Sequence, residues 1–170
     1  MLIPPTATLI RSFRLLADHG QFYAHDASID PWDSLPTITE EVTRRGWARS
    51  EHAVHYYTVG NLWDFRLDLY QAQEPPTLDG ADRVLAHTLL LPTGVLTVGN
   101  PIADDNVLTY ALRPGEYALY LRAFHLGAES AEELNDDEFL GRSDLERYEL
   151  FVVPGATPTE GVILGRATLW

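Results

Sequence analysis

Trp63, Phe65, Leu67 and Leu69 alternate with Asp64, Arg66, Asp68 and Tyr70 along residues 62–70. A backbone whose side chains repeat every two residues puts the first set on one face and the second on the other. The stretch therefore reads as a half-buried antiparallel strand. It follows His52–Val59 across Gly60-Asn61, a two-residue reversal of the hairpin kind. The same rhythm of short apolar runs and turn residues continues. Val107–Leu112 and Glu116–Phe124 flank Pro114-Gly115, where proline presets the first corner and glycine supplies the second, a type II turn. Arg83–Leu91 and Val95–Val98 are joined at Pro92-Thr93-Gly94. Gln21–His25, Tyr148–Val153 and Val162–Leu164 add three strands, and Thr8–Leu16 a weaker one.

Helical signals are few. Ile38–Arg45 has Thr37 as a candidate N-cap, acids in its first turn, arginines in its last and Gly46 just beyond. Ala131–Phe139 reads as a second short helix or a solvated loop. The expected fold is all-β: a jelly-roll-like β-sandwich of about eight or nine short antiparallel strands with one or two short helices. At 170 residues the chain suits a single domain over 1–170, with enough buried surface to need no staple.

Composition narrows the chemistry. There is no cysteine, which excludes disulfides, thiolate metal sites and thiol catalysis. All twelve basic residues are arginine, which excludes a Schiff-base lysine and a P-loop. A net charge of -13 argues against direct binding to nucleic acid or an anionic membrane and permits a basic protein partner. The charge is uneven, because residues 129–149 hold nine acids against Arg142 and Arg147. No run of 18 apolar residues is present and the start of the chain has no secretory pattern, so the cytoplasm is the expected location.

Catalytic motifs are missing. His52 and His55 have a chelating spacing only on a helix, and their segment reads as a strand. None of the six histidines falls in a zinc signature, no metal or other cofactor is expected, and no GxSxG elbow or glycine-rich phosphate loop occurs. The chain therefore reads as a non-enzyme without catalytic residues. The acidic stretch is the candidate partner-binding surface, with Glu132, Glu133, Asp136, Asp137 and Glu138 as its centre. Spaced carboxylates imitate phosphates and steer a cationic protein. Leu134, Phe139, Leu140 and Leu145 within it serve either to anchor the stretch or as contact residues.

Several phrases in order resemble a known family. HGQFYAHD (19–26) reads as an opening strand, and EEVTRRGWA (40–48) as a helix followed by Gly-aromatic-Ala. LPTGVLTVGNP (91–101) and LRPGEYALYLRAF (112–124) follow. Their order and spacing resemble the bacterial competence protein J family, small acidic proteins that inhibit a partner DNA-entry nuclease. The resemblance spans residues 19–125 and rests on aromatic, glycine and apolar positions. It implies a β-sandwich and an inhibitor or immunity-like role toward a basic nuclease, and it assigns no functional residue.

Three expectations follow. The first is a non-catalytic protein-binding module. The second is a small-ligand, carbohydrate-like binding sandwich using exposed aromatics, with Tyr56, Tyr57 and Tyr120 as candidates. The third is a metal-dependent jelly-roll enzyme using His87 or His125.

Overall fold

The computed structural model describes residues 3–15, 20–34, 37–58, 64–100, 107–128 and 133–165. Among them eleven strands and three short helices form a mostly β structure with two sheets. In chain order these are β1 Thr8–Leu15, β2 Gln21–Asp26, α1 Pro31–Ser34, α2 Glu40–Arg45, β3 Trp47–Arg49, β4 Ala53–Tyr57 and β5 Phe65–Gln71. Then come β6 Arg83–Leu91, β7 Val95–Gly99, β8 Val107–Ala111, β9 Gly115–Phe124, α3 Asp136–Gly141, β10 Arg147–Pro154 and β11 Gly161–Gly165. One sheet has the order β1-β5-β10-β9-β6-β11 and the other β3-β4-β2-β7-β8. β10 runs parallel to β5, and every other pairing is antiparallel.

The three reversals predicted between successive strands do not join strands of one sheet. β4 and β5, β6 and β7, and β8 and β9 each belong to different sheets, so each connection carries the chain from one sheet to the other. Gly60-Asn61 itself lies outside the described residues. Turn residues dictate that a chain reverses, not whether its two arms then share backbone hydrogen bonds. Gly94, between β6 and β7, shows why this reversal needs glycine: its φ is 71°, and a Cβ there would lie 2.7 Å from the Leu112 carbonyl oxygen. Asp26, at the end of β2, holds the same reversal. Its carboxylate accepts from the Thr93 amide (3.0 Å) and hydroxyl (2.8 Å) while its other oxygen accepts from Ser28.

One buried cluster draws side chains from both sheets. Phe13, Leu15, Phe65, Leu67, Leu69, Leu119, Leu121 and Leu150 come from the first, and Phe22, Val54, Tyr56, Leu96 and Val98 from the second. Phe22 lies 5.1 Å from Tyr56 and 5.3 Å from Phe65, ring centre to ring centre. Phe65, Leu67 and Leu69 face this core as their alternation requires, while Trp63 is outside the described residues.

The opposite face of β5 departs from the half-buried expectation, because Asp68 and Tyr70 are buried as well. Register explains it. Tyr70, Phe151 and Tyr120 sit side by side across β5, β10 and β9, and so do Asp68, Glu149 and Arg122. Tyr70 stacks on Phe151 at 4.8 Å. Glu149 lies 3.5 Å from Arg122 and 3.7 Å from Arg147, and Arg66 donates to Asp68 at 2.8 Å. An aromatic row and an ionic row thus fill a second buried layer on this sheet.

The predicted helix at 38–45 starts two residues later, at Glu40. Thr39 rather than Thr37 caps it, accepting from the Val42 amide at 3.2 Å, and Gly46 closes it in the left-handed region. α1 was not predicted; a four-residue turn has too little periodicity to read.

Candidate partner-binding surface

The acidic stretch divides in two. Of its nine acids, Glu133, Asp136, Asp137, Glu138 and Asp144 are exposed, Glu146 and Glu149 are buried, and Glu129 and Glu132 lie outside the described residues. Of the five predicted site residues the structure therefore places four, all on the surface, three of them in the first turn of α3.

Local chemistry explains that helix. Asn135 accepts from the Glu138 amide at 3.0 Å, and the Glu138 carboxylate accepts from the Asn135 amide at 3.3 Å, a reciprocal cap. Three carboxylates in the first turn also face the positive end of the helix dipole. The helix begins at Asp136 and extends beyond the predicted Phe139 to Gly141.

Arginines fasten it to the first sheet. Arg14 on β1 donates to the Leu134 carbonyl at 2.7 Å, pairs with Asp64, lies 3.5 Å from Asp136, and sits 4.5 Å over the Phe139 ring. Arg66 on β5 donates to the Leu140 carbonyl at 2.6 Å. Phe139 and Leu145 are buried, so they anchor the segment rather than offer contact surface. Arg142 grips Asp144 through two hydrogen bonds of 2.6 and 2.5 Å, which pull the exposed Asp144 carboxyl down to about 2. The outcome is a short row of exposed carboxylates on a helix whose backbone is fastened to the first sheet. Asp136 stays 79% exposed, and Glu133 and Asp137 pair with nothing among the described residues.

Sequence reasoning placed Glu146 and Glu149 in the solvated face, and the structure corrects this. Glu146 accepts from the Gly127 amide at 3.1 Å and from the Tyr148 hydroxyl. Glu149 lies in the ionic layer, where burial pushes its pKa up while Arg122 and Arg147 oppose the shift. The available signal was its position inside a predicted strand, two residues after Arg147.

The histidines are dispersed. His25 is buried with Nδ1 2.8 Å from the Asp26 carbonyl oxygen, His52 lies beside the Leu90 carbonyl, His125 is exposed at a φ of 53°, and His19 is outside the described residues. His55 stacks on Tyr57 at 4.9 Å, and His87 packs between Trp47 (4.5 Å) and Tyr56 (5.8 Å). No three His, Asp or Glu side chains are grouped for a metal ion among the described residues. The aromatic candidates Tyr56, Tyr57 and Tyr120 are buried, and Trp32, at 45%, is the single exposed aromatic among the described residues. That arrangement leaves no aromatic platform there.

Both core histidines make stability depend on pH. Burial lowers the pKa of His55 to about 4, and burial, with Arg49 and Arg45 nearby, lowers that of His87 to about 3. An unfolded histidine takes up its proton near 6.5, so below that the unfolded chain binds more protons than the folded one. Stability contributed by the neutral rings is complete above about pH 6.5 and is lost as the pH falls toward the folded values. At about pH 5 the loss is about 2 kcal/mol per histidine. Urea denaturation across this range will show the decline, and His87→Leu will make it shallower.

Comparison with solved structures identifies the architecture. The structure of ComJ, inhibitor of the DNA degrading activity of NucA, from Bacillus subtilis, superimposes with a TM-score of 0.64 over 86% of this chain and 97% of that one, at 14% identity. The chain has a ComJ-like fold. The product of crocagin biosynthetic gene J matches at a TM-score of 0.55 and 18% identity, over 85% of this chain and 97% of its own. No protein-family model and no curated protein sequence matches the chain. The ComJ-like likeness covers more of the chain than the resemblance over 19–125. No helix among the described residues is long and apolar enough to cross a membrane.

Proposed function

We propose that this chain is a non-catalytic protein-binding module, a single β-sandwich domain over residues 1–170, that inhibits a basic nuclease in the cytoplasm. The observation that carries the reading is the ComJ-like fold, since ComJ is an inhibitor of the DNA degrading activity of NucA. The mechanism is assigned to the acidic residues in and just before α3, of which Glu132 lies outside the described residues. Glu132, Glu133, Asp136, Asp137 and Glu138 pair with the arginines and lysines that hold nucleic-acid phosphates in the nuclease, and the body of the sandwich blocks the substrate path. Preorganisation by Arg14, Arg66 and Phe139 lowers the ordering cost of that pairing. With a net charge of -13 the chain itself does not bind DNA or RNA.

The test is capture from the native cell lysate at low salt, elution with a salt gradient, and assay of the eluate for DNA degradation. The proposal predicts a basic nuclease released by salt and inhibited again on adding the chain back. Repeated capture without any nuclease would refute it.

A further inference from the structure

Acids outnumber arginines in this chain by 25 to 12, so a buried arginine has every opportunity to find a carboxylate. Arg122 does so, facing Glu149. Arg83, the first residue of β6, does not. It is only 8% exposed, yet no carboxylate among the described residues lies within ion-pair distance of it. Its one hydrogen-bond acceptor among them is the Arg45 carbonyl, at the end of α2. A guanidinium has five N–H donors, and a carbonyl is not a counter-charge. A buried cation left in this state is costly, and burial accordingly pulls the Arg83 pKa down.

The guanidinium borders a cavity where the two sheets meet. Arg83 and Tyr148 stand on either side of Ala123 across β6, β9 and β10, and Leu85 and Leu121 pair on the same two strands, β6 and β9. Tyr57, from the end of β4 in the other sheet, and Leu126, just past β9, complete the lining. The Tyr57 hydroxyl is buried and has no hydrogen-bond partner among the described residues. Burial pushes its pKa up, against the pull of Arg45, so it remains a neutral donor. The neighbouring acids are engaged elsewhere. Asp82 accepts from the Leu126 amide at 3.3 Å, and Glu146 accepts from the Gly127 amide at 3.1 Å and from the Tyr148 hydroxyl.

We propose that this cavity binds a single chloride ion between the Arg83 guanidinium and the Tyr57 hydroxyl. Charge selects an anion, because the lining offers one cation, one unused O–H donor and no carboxylate. Size selects a monatomic one. The free volume is about 10 Å³, the room of one water molecule or one small ion, and excludes phosphate, sulfate or a peptide carboxylate. A water would satisfy the Tyr57 hydroxyl and leave the guanidinium uncompensated. The ion joins β6 of one sheet to β4 of the other, so it strengthens the fold at this seam.

The experiment is the chloride NMR linewidth of sodium chloride solutions containing the full chain. Sodium gluconate, whose anion is too large for the cavity, holds the ionic strength constant. The line is expected to broaden with the chain and to narrow again as bromide competes. Tyr57→Phe removes the unpartnered hydroxyl and keeps the ring that stacks on His55 at 4.9 Å, so it folds and weakens chloride about tenfold. Arg83→Gln abolishes the broadening; should that variant fail to fold, Tyr57→Phe decides alone. Absence of broadening by the parent chain overturns the inference. Broadening that is the same in Tyr57→Phe as in the parent means an adventitious ion only and overturns it equally.

Discussion

Neutralising Glu132, Glu133, Asp136, Asp137 and Glu138 together, to Gln or Asn, is expected to slow association with the proposed nuclease partner at low salt by about ten- to a thousandfold. The dissociation rate changes less, because charges at a solvated rim steer the encounter more than they hold the complex. The salt dependence of the association rate flattens in parallel. Stopped-flow association at several salt concentrations reads both effects. The fold survives, since the α3 anchors Phe139, Arg14 and Arg66 are untouched. Loss of the Glu138 and Asp136 contacts loosens the helix start by a fraction of its stability only, as expected for exposed caps and pairs. An unchanged rate with an unchanged salt slope would remove α3 from the mechanism.

Glu149→Leu produces the largest loss of stability expected from a single acidic residue, about 3–5 kcal/mol. Glu149 and Arg122 are both almost wholly buried and sit opposite each other across β10 and β9, with Arg147 on the other side of the carboxylate. Removing the carboxylate leaves guanidinium charge in the layer without its in-register counter-charge. Asp144→Asn is the control. Its pair with Arg142 is fully at the surface, so its loss leaves the stability close to that of the parent chain. Urea denaturation of both variants gives the comparison, and similar values for the two would contradict a buried ionic layer.

The strands were legible because a period of two survives in any sheet with one apolar core. Phe65, Leu67 and Leu69 point where their alternation said. Pairing was not legible. Gly94 and Pro114 mark real reversals, but the choice between a hairpin and a crossing is made by long-range partners such as β1 with β5 and β2 with β7. Those contacts leave no local signature.

The candidate surface was half legible for a related reason. Charge density marks 129–149, yet it does not separate Asp137, in solvent, from Glu149, in a buried row. The distinction depends on Arg122, Arg147 and Asp68 arriving from the same and neighbouring strands. The pairs Arg66/Asp68 and Arg147/Glu149, each two apart and hence on one face, were the trace left in the sequence.

The most direct measurement titrates the purified chain into a DNA-degradation assay of the nuclease recovered by low-salt capture. Nuclease activity is predicted to fall to background near one equivalent and to return as salt is raised. Full degradation of DNA in the presence of excess chain would contradict an inhibitor.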